Sequence, residues 1–199
     1  MHAMRRAAWT LALGMSLVGR AAAAQTPGGD LDAYVTAEYA MNGAFVGVGA
    51  ASVGVGAWAL TRDDPFAQGM GYPLVALGSV QLVVGAVYLV LTPGVQRRGS
   101  AMLSEDVARY RVEEGRRIDG VVRLFPWFLA ADGAAVAGGG AALAFGLAEG
   151  DARLTGVGVG LLATGVLQLA LDATTFVFAR RHQRGVRVQG VTPWWRGLP

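Results

Sequence analysis

The chain has 199 residues, of which 53% are hydrophobic and only 16% are charged. About one quarter of the residues of a soluble domain are charged, so this composition excludes a disordered chain and disfavours an ordinary soluble enzyme. There are 30 glycines and no cysteine, and all 17 basic residues are arginine. The absence of cysteine excludes a disulfide-stabilised domain and a cysteine-ligated metal site.

The first 24 residues have the layout of an export signal. Arg5 and Arg6 precede a short apolar run, and the alanines at 21–24 provide the small residues of a cleavage site. The run is too short to cross a bilayer, which needs about 20 residues. The sequence therefore predicts a signal peptide over 1–24 and a short polar segment over 25–40. An uncleaved anchor is the alternative.

Four longer apolar segments follow, and they contain only two charged residues, Asp132 and Asp172. The segments are 41–60, 71–92, 124–148 and 154–179. At about 1.5 Å per residue, each is long enough to cross roughly 30 Å of hydrocarbon. A transmembrane β-barrel would instead show shorter segments that alternate apolar and polar residues. We therefore predict an all-α membrane protein with four transmembrane helices.

The connections group these segments into two tandem helical hairpins rich in glycine and alanine, at 41–92 and 124–179. Short connections lie within each hairpin, whereas 93–123 is a long charged linker. Apolar residues recur in this linker at helical spacing and predict an amphipathic helix over about 100–117. A helix that runs on into the third apolar segment is the alternative. A basic tail at 180–199 follows the second hairpin.

The two hairpins resemble each other in sequence. Asn42 in the first corresponds to Asp132 in the second, and a motif that contains Gly78 and Gln81 matches one that contains Gly165 and Gln168. Because both hairpins have the same orientation in the membrane, we expect a parallel repeat. Its two halves would be related by a pseudo-twofold axis along the membrane normal.

Glycine spacing indicates where the helices pack. Lipid tails are as apolar as leucine, so membrane helices associate through close contact at small residues. The glycines expected at such contacts are Gly43 with Gly47, Gly156 with Gly160, and the stripe formed by Gly71, Gly78 and Gly85. A glycine-lined pore or oligomer is the alternative role for these stripes.

The orientation in the membrane stays open. Arginines are concentrated in the linker and the tail, which the positive-inside rule places in the cytoplasm. A signal peptide instead places both segments outside. In either orientation, the predicted location is the bacterial inner membrane, as a multi-pass protein.

The polar residues inside the apolar segments are the candidate site residues: Asn42, Gln81, Asp132, Gln168 and Asp172. The third and fourth segments run antiparallel, so Asp132 and Asp172 are expected at one depth, about 10–12 Å from the linker side. Asp172 shares a helix face with Gln168 and is therefore expected to point into the bundle. These residues are interpreted as interhelical hydrogen-bonding groups, as an ion or proton site, or as a ligand site.

No other chemistry is indicated. His182 has no histidine neighbour, and no nucleophile has a plausible set of partners, so we expect no catalytic residue, metal or cofactor. The expected partners are the lipid bilayer and a second copy or another membrane protein, and no nucleic acid. The predicted function is that of a non-enzymatic scaffold, assembly or interaction protein. The alternative is a small ion or proton transporter or channel that uses Asp132 and Asp172.

Overall fold

A computed structural model describes residues 27–188 of the chain. These residues form four helices: α1 (Pro27–Leu60), α2 (Pro65–Glu105), α3 (Val107–Glu149) and α4 (Ala152–Val188). Each helix is long and apolar enough to cross a membrane. The prediction of an all-helical protein with four candidate transmembrane helices is therefore confirmed. The predicted signal peptide at 1–24 and the tail residues 189–199 lie outside the described residues.

Short polar residues and one glycine mark where the helices begin and end. The carboxylates of Asp64, Asp106 and Asp151 accept hydrogen bonds from backbone N–H groups at the starts of α2, α3 and α4. Such caps satisfy donors that have no partner within the helix. Gly150 ends α3 with a φ of 69°, the left-handed conformation that glycine adopts without steric cost. The local sequence therefore accounts for each break between helices.

The segment between the second and third apolar runs differs from the predicted linker. The amphipathic helix expected over about 100–117 is not a separate element, because α2 continues to Glu105 and α3 begins at Val107. Asp106 separates them with extended backbone and caps α3 with its carboxylate. Helical spacing predicts the helical conformation of this segment, but it does not show that two long helices share it. The predicted polar segment at 25–40 is likewise helical from Pro27 onward.

All four helices extend beyond their apolar segments at the same end of the molecule. The helices have 34 to 43 residues, whereas about 20 residues cross the hydrocarbon. We name the surplus the polar extension, which comprises residues 27–40, 93–105, 107–123 and 180–188. A cluster of buried apolar residues lies in and just below it: Leu31, Tyr34, Val35, Tyr110, Ile118, Val122, Phe125 and Ala179. The extension is therefore a packed helical bundle with its own core.

The four helices are not packed equally. α1 lies against α2, and α3 lies against α4, while the main contact between these two pairs is made by α2 and α4. α2 and α3 contact each other little, although a single residue connects them. A cleft therefore separates α2 from α3.

Glycines bring α1 and α2 into backbone contact. A Cβ atom added at Gly49 would lie 2.5 Å from the backbone nitrogen of Leu82, and one added at Gly78 would lie 2.6 Å from Cβ of Ser52. Gly85 is equally close to α1, with a Cβ position 2.9 Å from a backbone oxygen. The stripe of glycines spaced by seven residues therefore lies at a helix contact, as predicted.

The two predicted pairs of glycines spaced by four residues have different surroundings. Gly156 and Gly160 of α4 face the backbone of α2, as expected for a contact. The prediction for Gly43 and Gly47 is wrong, because a Cβ at either position would have no atom within 4 Å. A spacing of four places two residues on one helix face, but it does not indicate which face meets a neighbour.

The contact between α3 and α4 also uses glycines, but in a different register. If the predicted repeat applied to packing, Gly139 and Gly165 would meet as Gly49 and Gly78 do. Instead, a Cβ added at Gly139 would lie 3.1 Å from the carbonyl oxygen of Gly158. Glycines recur every seven residues in α4, so a shift of about two turns still places a glycine at the contact. The pseudo-twofold repeat stays a prediction.

We expect Gly49→Leu to destabilise the protein, because its side chain would collide with backbone atoms of α2 that cannot move independently of the helix. Overpacking of this kind typically costs about 1–3 kcal/mol. Gly54→Leu in the same helix is the matched control, since a Cβ at Gly54 has no atom within 4 Å. Thermal unfolding in detergent should show a lower Tm for Gly49→Leu only. Equal Tm values for the two variants would contradict the close contact.

Candidate functional site

The structure buries most of the polar residues predicted as site candidates. Asn42, Gln81, Asp132 and Asp172 are 8%, 1%, 6% and 8% exposed, respectively, and Gln168 is half-buried. We name these five residues the polar layer. All of them belong to the apolar segments, so their burial is between helices that could cross a membrane.

Asp132 of α3 and Asp172 of α4 are neighbours. Their carboxyl groups interact with each other, and the carboxyl group of Asp172 also interacts with the side chain of Gln168. The sequence placed the two aspartates at one depth, and the structure brings them together. A hydrogen bond between two carboxyl groups requires a proton, because ionised carboxylates can only accept hydrogen bonds.

Gln81 lies at the level of Gln168. α2 and α4 run in the same direction, and a Cβ added at Gly160 of α4 would lie 2.5 Å from Cγ of Pro73 in α2. Eight residues beyond this contact, α2 reaches Gln81 and α4 reaches Gln168. One turn further along α2, Gly85 meets the backbone of Asn42 in α1. All four helices therefore contribute to the polar layer within about two turns of depth.

Several buried atoms of the polar layer have no hydrogen-bond partner among the described residues. They are Nδ2 of Asn42, Nε2 and Oε1 of Gln81, and Oδ2 of Asp132. An unpaired polar group costs several kcal/mol in hydrocarbon.

A second polar cluster lies in the polar extension and is centred on Glu114. Its carboxylate accepts hydrogen bonds of 2.8 and 2.7 Å from Nε and Nη2 of Arg117. Nε2 of His182 lies 2.8 Å from Oε1 of Glu114. The imidazole of His182 stacks on Tyr34 with ring centroids 4.2 Å apart. A hydrogen bond and a ring contact of His182 thus connect α4 to α3 and to α1 beyond the apolar segments.

The sequence alone does not predict this second cluster. His182 has no histidine neighbour in the predicted basic tail, and Glu114 lies within the predicted linker helix. One signal was present, because Glu114 lies four residues from both Tyr110 and Ile118 and therefore shares their apolar face. A charged residue on an apolar face indicates a buried partner. The sequence could not identify that partner, since His182 is distant along the chain.

No protein-family model, curated protein or solved structure shows a significant match to this chain. Over residues 27–188, no three His, Asp or Glu side chains are grouped so that they could bind a metal ion.

We expect Glu114→Gln to destabilise the protein by roughly 3 kcal/mol. The substitution removes the buried carboxylate that pairs with the largely buried guanidinium group of Arg117. The neighbouring Glu113→Gln is the control. Glu113 pairs with Arg109 at an exposed site, where such a pair contributes about 0.3–0.5 kcal/mol. Thermal unfolding of both variants in detergent would measure the difference. Similar losses of stability in the two variants would show that the Glu114 cluster does not stabilise the extension.

Proposed function

We propose that this chain is a multi-pass membrane protein that binds a proton or a small monovalent cation between Asp132 and Asp172 and moves it across the membrane. The observation that carries this proposal is the burial of two interacting carboxyl groups side by side within apolar helices. This observation favours the transporter or channel, which the sequence analysis gives as the alternative, over the scaffold role.

The electrostatics of the pair support an occupant. A charged side chain at mid-membrane costs at least about 2.5–3.5 kcal/mol on insertion scales. Two adjacent carboxylates would add mutual repulsion in a medium of low dielectric constant. A proton or cation between Asp132 and Asp172 removes this repulsion. The unpaired Oδ2 atom of Asp132 and the adjacent amide of Gln168 provide further oxygen ligands.

Glu38 supports a route from the polar extension to the polar layer. It lies one turn before Asn42 on α1, and its Oε2 atom is buried without a hydrogen-bond partner among the described residues. On its other side, Glu38 interacts with Arg117 and with the hydroxyl group of Tyr34. A protonatable group is therefore placed between the Glu114 cluster and the polar layer.

A role in binding another protein is the second candidate, and a specific observation favours it. The polar extension is a packed bundle, and α4 presents Arg180, Arg181 and Arg184 on its exposed surface. Ordered, like-charged side chains on a rigid support favour a partner with an acidic surface. In this role the chain would have no enzymatic activity and would act as a scaffold or assembly protein.

We also propose that the four helices form two tandem hairpins related by a pseudo-twofold axis, in the bacterial inner membrane. The contacts of α1 with α2, and of α3 with α4, support two tandem hairpins. The central position of α2 and α4 is compatible with a pseudo-twofold axis between them, although the glycine registers of the two pairs differ. The arrangement as a multi-pass protein is compatible with the bacterial inner membrane.

We expect the full chain in proteoliposomes to dissipate a gradient of protons, Na⁺ or K⁺, and Asp132→Asn and Asp172→Asn to lose at least tenfold of that flux. Asparagine retains the shape but cannot take up or release a proton. Stability should change by only about 0–1 kcal/mol, since interhelical hydrogen bonds in membranes average about 0.6 kcal/mol. Asp63→Asn, in the exposed connection between α1 and α2, is the control. No flux in the unmodified chain, or undiminished flux in both aspartate variants, would contradict transport.

For the second candidate, a photo-crosslinking residue is placed at Arg184 or at Val83. Arg184 is exposed on the polar extension, whereas Val83 is exposed on an apolar segment. A partner bound to the extension should give a protein adduct of defined mass from Arg184 and none from Val83. Adducts that are the same at both positions, or missing at both, would contradict the interaction role.

A further inference from the structure

We propose that the cleft between α2 and α3 binds an anionic phospholipid, with the headgroup at Arg98 and an acyl chain along the apolar faces of both helices. This inference is independent of the Asp132–Asp172 pair, which lies deeper in the apolar segments.

The cleft contains a cavity of about 440 Å³ at the boundary between the apolar segments and the polar extension. Its lining combines apolar and charged side chains, among them Leu91, Val95, Met102, Arg98, Glu113 and Arg117. A free inorganic anion would contact only the charged side chains of this lining. An amphiphile would contact the charged side chains with its headgroup and the apolar side chains with its acyl chain.

The cavity between α2 and α3 exists because the two helices contact each other little and because glycines on their facing sides have no side chains to fill it. α2 and α3 are joined by Asp106 alone, yet they contact each other little. A Cβ added at Gly94 of α2 or at Gly120 of α3 would have no atom within 4 Å. The cavity is thus a gap between two helices that packing against α1 and α4 holds apart.

Two arginines and two glutamates line the cavity, and among these four only Arg98 has no oppositely charged partner within the described residues. Glu113 is paired with Arg109, and the carboxylate of Glu114 accepts hydrogen bonds from Arg117. Arg98 is exposed and forms no ion pair with the residues that the structure describes. Its guanidinium group is therefore available, and guanidinium binds phosphate oxygens in a bidentate geometry.

The depth of the cavity matches a lipid headgroup. Arg98 lies about 9 Å beyond the apolar segment 71–92 by helix rise, which is in the headgroup region of a bilayer. Below the cavity, Val84, Val87 and Leu91 of α2 are 40%, 48% and 55% exposed. Leu124 and Trp127 of α3 are also exposed and lie on the same helix face as Glu113 and Arg117. The apolar path therefore continues from the cavity into the hydrocarbon. Basic pockets between transmembrane helices bind anionic headgroups in this way.

The proposal is tested by native mass spectrometry of the full chain in detergent, mixed with equal amounts of phosphatidylglycerol and phosphatidylcholine. We expect one phosphatidylglycerol to be retained in preference to phosphatidylcholine. Arg98→Gln should weaken its binding by roughly fivefold, the effect of one basic group near a membrane surface. Arg97→Gln is the matched control, because Arg97 is also exposed but does not line the cavity.

A second variant tests the cavity itself. Gly94→Leu places a side chain in the open space, and it should reduce phosphatidylglycerol binding while the Tm is unchanged. Equal retention of the two lipids, or equal binding by the Arg98→Gln and Arg97→Gln variants, would overturn the proposal. Displacement of the lipid by millimolar inorganic phosphate would also overturn it, because it would identify a site for a small anion.

Discussion

Backbone-to-backbone contact at glycine is the constraint on which this structure depends. In a membrane, apolar side chains gain little by leaving lipid, so helices must approach closely to associate. α2 meets this condition on two faces, through Gly78 toward α1 and through its contact with Gly160 of α4. The position of α2 therefore fixes the relative positions of the two helix pairs. A side chain larger than glycine at these contacts would force the helices apart.

The polar layer lies where the glycine stripe is interrupted. In α4, Gly158 and Gly165 are spaced by seven residues, and the next position in this series is Asp172. Gly139 of α3 is likewise preceded at a spacing of seven by Asp132. The two carboxyl groups therefore occupy the faces along which the helices otherwise meet closely. Their side chains replace backbone contact with a polar one, which explains both their burial and their proximity.

Much of the architecture could be predicted from the sequence, because the signals are local. The length of the apolar segments predicts four helices, and Asp132 and Asp172 are conspicuous as charges within them. The extension and its cluster depend on contacts between distant segments. Nothing near His182 indicates that it lies beside Glu114 of another helix. The glycine pair Gly43 and Gly47 shows the same limit, since spacing specifies a face and only the neighbouring helices decide whether that face is covered.

The single-residue connection at Asp106 turns the chain back at the outer end of the polar extension. It lies roughly 40 Å along α3 from Asp132 by helix rise, and α2 and α3 contact each other little below it. The position of Asp132 relative to α2 therefore does not depend on the chain connection between the two helices. It depends on the contacts of α3 with α4 and of α4 with α2. Two helices that are neighbours in sequence are thus held in place inside the membrane by a third helix.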